Sequence, residues 1–169
     1  MNKRKVKLTV LDIVLCGVLG ALTFAAKYVM SPLPNIEPVS LMIMLFAVVL
    51  GWKGLYPTYI YVAIEVLFYG INLWNIYYLY IWVVLFLGAM AMRKVHNPFA
   101  WALLSGGFGL LFGGLCAIVN LFIGGPGYAL AWWMSGWSFD LMHGAGNFVI
   151  ALLLFVPLRK LLTGLYQKI

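Results

Sequence analysis

Asp140, His143 and Asn147 are spaced three and four residues apart, so on a helix they lie on one face. A carboxylate, an imidazole and an amide so arranged can bond to neighbouring helices or hold the polar edge of a small molecule. They belong to the run Trp132-Trp133-Met134-Ser135-Gly136-Trp137-Ser138-Phe139-Asp140-Leu141-Met142-His143-Gly144-Ala145-Gly146-Asn147, which puts Trp133 and Trp137 beside the polar face. Stacking on such rings plus a few polar contacts is how a flat heterocycle is held, so the tryptophan segment is expected to form a lid over a site. The alternative is structural: Asp140 or Ser138 caps a helix while His143 and Asn147 bond to neighbouring helices.

A second polar group comprises Asn35, Glu37, Glu65, Asn72 and Asn75, with Trp74 beside the last two. Glu65 stands among Val62, Ile64, Val66 and Leu67, where a carboxylate must be protonated, paired or completed by a ligand. Lys27 can pair with one of these carboxylates or snorkel to the headgroups. The candidate substrate-binding residues are therefore Asn35, Glu37, Glu65, Asn72, Trp74, Trp133, Trp137, Asp140, His143 and Asn147.

Other chemistry has little support. The sequence contains no nucleophile elbow, zinc helix pair or phosphate-binding Gly-Lys motif, so no metal and no cofactor is expected. An Asp140/His143 dyad would make the chain a small membrane enzyme, an alternative with one central His and no second metal-type ligand close in sequence. A ligand-free assembly protein is a further alternative. Cys16 and Cys116 each fall in apolar stretches and are expected to pack there.

These groups need elements to position them, and composition says what those are. Of 169 residues, 65% are hydrophobic and 9% charged, more apolar surface than a soluble core of this size can hide. In lipid the backbone must satisfy itself, and the continuous rather than alternating apolar runs select helices over a barrel. The fold expected is an all-α membrane protein, one domain over residues 1–169. Six spans are predicted, over about 8–30, 37–53, 55–71, 74–92, 98–123 and 138–162. Breaks fall at Ser31-Pro32-Leu33-Pro34-Asn35, Gly51-Trp52-Lys53-Gly54, Gly70-Ile71-Asn72, His96-Asn97-Pro98 and Gly124-Gly125-Pro126-Gly127. The basic start Lys3-Arg4-Lys5-Val6-Lys7 also resembles a signal peptide, but the following apolar run is too long and reads as a retained span.

With the N-terminus in the cytoplasm, ten of the eleven Lys and Arg residues fall inside, Lys27 excepted, and the C-terminus is cytoplasmic too. Glu37, Glu65 and Asp140 then fall in the outer half. The net charge of +7 is distributed between apolar runs rather than along one face, so no nucleic-acid partner is expected.

Small residues mark two close-packing faces. Gly17, Ala21 and Ala25 recur every four residues and can pack inside the bundle or dock a partner subunit. Gly106, Gly107, Gly109, Gly113 and Gly114 suggest intramolecular packing of the fifth span.

Taken together, the size, the six predicted spans, the face Ala21-Leu22-Thr23-Phe24-Ala25, the loop Leu33-Pro34-Asn35-Ile36-Glu37-Pro38-Val39 and the segment Phe139–Asn147 resemble substrate-binding S components of energy-coupling factor (ECF) vitamin transporters. The resemblance covers nearly the whole chain. It implies an S-component-like bundle in a prokaryotic cell membrane that captures a vitamin or related ring-containing micronutrient from outside without hydrolysing anything itself. It also implies a transmembrane coupling subunit and two ATPase subunits as partners, with Ala21 and Ala25 against the coupling subunit.

Overall fold

The computed structural model describes residues 8–33 and 36–168. Its regular elements are all helical: α1 (Val10–Met30), α2 (Val39–Leu50), α3 (Leu55–Tyr69), α4 (Leu73–Ala91), α5 (Pro98–Ser135) and α6 (Trp137–Tyr166), with a 3-10 turn at Gly51–Gly54. Five stretches are long and apolar enough to cross a membrane, as in a multi-pass membrane protein: Val10–Met30, Val39–Tyr69, Leu73–Ala91, Pro98–Ser135 and Trp137–Tyr166. The second of these contains both α2 and α3.

α2 and α3 have 12 and 15 residues. At 1.5 Å per residue they extend roughly 18 and 22 Å, each short of a hydrocarbon core of about 30 Å. Between them Gly51 takes a φ of 59°, which a residue with a side chain rarely adopts. The start of α2 and the end of α3 line the same cavity, so the chain reverses at Gly51–Gly54.

Capping sets several of the helix starts. Thr9 and Asp12 form a capping box on α1, Asn72 and Asn75 form another on α4, and Asn97 caps α5 with Pro98 in its first turn. α5 runs past the expected end of its span. Gly125, at φ 80° and ψ −178°, kinks it, and Pro126 opens a further helical segment. The tryptophan segment expected as a lid is therefore helical through Ser135, because Pro126 is suited to a first helical turn and Ala129, Leu130, Ala131 and Met134 are good helix formers.

Close helix contacts form where glycine removes the Cβ. A Cβ on Gly20 would lie 2.8 Å from Ile60 Cβ and 3.0 Å from the Pro57 carbonyl oxygen, which puts α1 on α3. Gly109 faces the backbone of Gly144, and Gly106 faces Phe148, joining α5 to α6. The fifth-span glycines thus pack as expected, Gly107 excepted, which has open space beside it. α2 is the central helix, with Ile43, Met44, Leu45 and Phe46 almost wholly buried. Trp101 and Phe155 stack beside it, ring centres 4.2 Å apart.

The Gly17, Ala21 and Ala25 face turns the other way. Ala21 and Ala25 are exposed, and a Cβ on Gly17 would meet nothing within 4 Å. Packing inside the bundle is carried instead by Asp12, Cys16, Leu19, Gly20 and Thr23. Elsewhere the outer surface is apolar, with Val29 76%, Phe122 83% and Leu67 85% exposed, the surface of a protein solvated by lipid.

Basic side chains gather at one end. Lys53 pairs with Asp12 at 2.7 Å, Tyr166 reaches the same carboxylate at 3.5 Å, and Arg159 donates to the carbonyls of Arg93 and Val95 at 3.1 Å. This ties the start of α1, the α2–α3 turn, the end of α4 and the end of α6 together. The opposite end of the bundle is hollow.

Candidate functional site

A cavity of about 660 Å³ opens there, between the end of α1, the segment before α2, the second half of α3, the first half of α4 and the facing parts of α5 and α6. Its polar wall is built from two pairs. Lys27 Nζ lies 2.7 Å from Glu65 Oε2. Position 27 is one turn from the end of α1 and Glu65 one turn from the end of α3, and Gly20 holds the two helices close enough for the side chains to meet. Of the two expectations for Lys27, pairing is the one found. The Lys27 ammonium also lies 5.3 to 6.0 Å from the ring centres of Tyr78, Tyr61 and Tyr69, so cation–π attraction holds it in a tyrosine cage.

The second pair joins Glu37 and His143, Oε1 to Nε2 at 3.2 Å. Glu37 precedes α2 and accepts the first free N–H groups of that helix, from Val39 and Ser40, while the Ser40 hydroxyl donates to Oε1 at 2.7 Å. The Asn147 amide in turn donates to Ser40 Oγ at 3.0 Å, extending the network from the cavity wall into the α2–α6 contact. Burial works against a charged Glu37, but its attraction and hydrogen bond to His143 and the donors of Ser40 outweigh it and hold the carboxyl below the ordinary value of 4.5. A depressed carboxylate stabilises the fold above its unfolded value and loses that contribution as pH falls through the folded one. Thermal stability in detergent should accordingly decline below about pH 4.5, and Glu37→Gln, melted across the same pH series, should show a shallower decline.

Aromatic rings make the rest of the wall. Trp74, Tyr78 and Trp82 recur every four residues on α4 and present one stripe to the cavity, and Phe112 of α5 sits edge-on to the His143 ring at 4.9 Å. Met30, Leu33, Ile36 and Phe139 line its mouth.

The structure sorts the residues singled out from the sequence. Glu37, Glu65, Asn72, Trp74 and His143 line the cavity together, as does Asn75. Asn72 also caps α4, accepting from the Trp74 N–H at 2.9 Å. Asn35 lies outside the described residues. Asp140, His143 and Asn147 do share a buried face of α6, but their partners differ. Asp140 accepts from the Gly113 N–H of α5 at 3.0 Å, and the α6 N-cap is Gly136, so Asp140 neither caps the helix nor lines the cavity. Asn147 is likewise committed to a neighbouring helix.

Trp133 and Trp137 are also outside the lining. Trp133 packs on Gly114, where a Cβ would lie 3.2 Å from its ring, and Trp137 is 57% exposed. The kink at Gly125 aims the following helical segment along the bundle instead of folding it as a loop across the mouth, so these residues form no lid here.

No family model matches this sequence, and no curated protein or solved structure matches it.

Among the lining residues not anticipated, Tyr61, Trp82 and Phe112 matter most to the wall. Two of them carried a usable signal. Tyr61 is one turn before Glu65, and Trp82 continues the four-residue series from Trp74 and Tyr78. Phe112 looks like any core aromatic until α6 places His143 against it.

Proposed function

We propose that this chain is the substrate-binding S component of an ECF-type importer, with six spans and both termini in the cytoplasm of a prokaryotic cell. It captures a ring-containing micronutrient from outside and passes it inward through a coupling subunit driven by two ATPase subunits. The observation that carries this reading is the position of the cavity: an aromatic, polar-lined chamber at the end of the bundle opposite the gathered basic residues. By the positive-inside rule the basic end faces the cytoplasm, so the cavity opens outward. A volume of about 660 Å³ lies within the range of small-molecule sites.

The outward small-residue face of α1 supports the same reading. Gly17, Ala21 and Ala25 make a smooth strip that this chain leaves uncovered, suited to close approach by a helix of the coupling subunit. Asp140 and His143 take separate partners, which favours a binding role over a catalytic dyad.

The test is co-expression with an ECF coupling subunit and its ATPases, affinity purification through this chain, and mass spectrometry of the small molecules retained. Recovery of the complex with one stoichiometric ligand, and ATP-dependent uptake of that ligand by cells, is expected. A clean preparation with neither partner nor ligand would overturn the proposal. Ala21→Leu and Ala25→Leu should leave the melting temperature and ligand affinity unchanged, since both positions are exposed, while lowering recovery of the coupling subunit roughly tenfold or more. Equal loss of ligand affinity and partner recovery would remove α1 from the docking role.

A further inference from the structure

Among the described residues eight buried side-chain polar atoms have no hydrogen-bond partner, and four of them belong to residues that line the cavity: the Tyr61 hydroxyl, Glu65 Oε1, Trp82 Nε1 and His143 Nδ1. Their residues are 0%, 5%, 2% and 4% exposed. Buried donors and acceptors are nearly always satisfied in native proteins, so four together in one wall point to a partner that arrives with the ligand. Three of them are neighbours. Tyr61 and Glu65 are one turn apart on α3, and the Trp82 ring meets the Tyr61 ring nearly edge-on at 6.2 Å.

The formal charges of the site are, by contrast, already matched. Lys27 is the one Lys or Arg among the described lining residues, and it is held by Glu65 and by the three tyrosine rings. The place where an aromatic cage would take a ligand's cation is thus filled from within the chain. Glu37 has both oxygens engaged by the α2 terminus, Ser40 and His143. A ligand carrying a net charge of either sign would enter a chamber with no free counter-ion.

We propose that the ligand is a small, uncharged, flat nitrogen heterocycle that presents a donor beside an acceptor, as an aminopyrimidine or a ring lactam does. Glu65 Oε1 accepts from its N–H, Trp82 Nε1 donates to its acceptor atom, and the Tyr61 hydroxyl completes the set. Trp74, Tyr78 and Phe112 supply apolar walls for the ring. The proposal rests on reading the chain as a capture subunit and specifies the chemistry of its cargo.

The test uses the purified full chain in nanodiscs at neutral pH, titrated by tryptophan fluorescence with five probes: 4-aminopyrimidine, 4-pyrimidinone, 4-methylpyrimidine, pyridine-3-carboxylate and N-methylpyridinium. The first two should bind about tenfold more tightly than the other three. Trp82→Phe and Tyr61→Phe each remove one polar atom and keep a ring. Both should erase most of that preference, and Tyr61→Phe, which deletes only the unsatisfied hydroxyl, should leave the melting temperature of the ligand-free protein unchanged or higher, whereas Trp82→Phe also loses buried ring area. A purely structural role for the Tyr61 hydroxyl would lower the melting temperature of Tyr61→Phe instead.

Equal or tighter binding of the carboxylate or the pyridinium overturns the proposal, as does a preference that survives in both variants. A charged or non-heterocyclic molecule retained by the purified protein overturns the cargo class and leaves the capture role standing. No retained molecule and no binding by any probe overturns both, and recovery of the coupling subunit then reads the partner role separately.

Discussion

Lys27→Met should destabilise the protein by about 3 kcal/mol, and adding Glu65→Leu should return most of that loss. The pair is tight, at 2.7 Å, and unequal: the Lys27 side chain is 27% exposed and that of Glu65 only 6%. Removing the lysine leaves a buried carboxylate with neither oxygen paired, since Glu65 Oε1 already has no partner among the described residues. Removing the glutamate alone should be milder. Lys27 lies in the last turn of α1, and its long stem can carry the ammonium toward the headgroups. The expected order of thermal stability in detergent is therefore wild type, then the double variant and Glu65→Leu, with Lys27→Met lowest. Losses that simply add in the double variant would mean that the two groups act independently.

Gly109→Val should be of similar size, about 3 kcal/mol or more, and should damage the site as well. The first added carbon would fall 2.8 Å from Gly144 Cα and N and 2.9 Å from the His143 carbonyl carbon. All three are backbone atoms, which cannot rotate aside, so α5 and α6 must separate. Separation draws His143 away from Phe112 and displaces it relative to Glu37, and with it one wall of the cavity. Gly107→Val is the matched control, two residues earlier on the same helix with open space beside its α-carbon. It should change the melting temperature and ligand affinity little, apart from the small difference in helix propensity. Equal damage from both substitutions would show that glycine content, and not the α5–α6 approach, matters in this helix.

Much of the cavity could be read one residue at a time. Glu65 was marked by a carboxylate among aliphatic neighbours, Glu37, Asn72 and Trp74 by their place at chain breaks, and His143 by its polar helix face; all five line the chamber. Asp140 and Asn147 share that face of α6 and still belong to helix packing. Periodicity specifies which residues point the same way but not what stands opposite each turn, and here α5 faces Asp140, α2 faces Asn147 and the cavity faces His143. Ring chemistry and a place beside the polar face in sequence point Trp133 and Trp137 toward the site. Gly125 decides otherwise, because a single residue at φ 80° redirects the ten after it.

Sequence by itself determined the solvent, the helical secondary structure, most of the breaks and the separation of most basic residues from Glu37, Glu65 and Asp140. Those follow from hydropathy, backbone satisfaction and charge, which are summed along the chain and need no knowledge of neighbours. Only tertiary structure decided that Lys27 answers Glu65, that Tyr61 and Trp82 are left with unmade bonds in the cavity wall, and that the Ala21 and Ala25 face is bare. Each of these depends on the rotation and spacing of one helix against another, set by the glycine contacts of α1 with α3 and of α5 with α6.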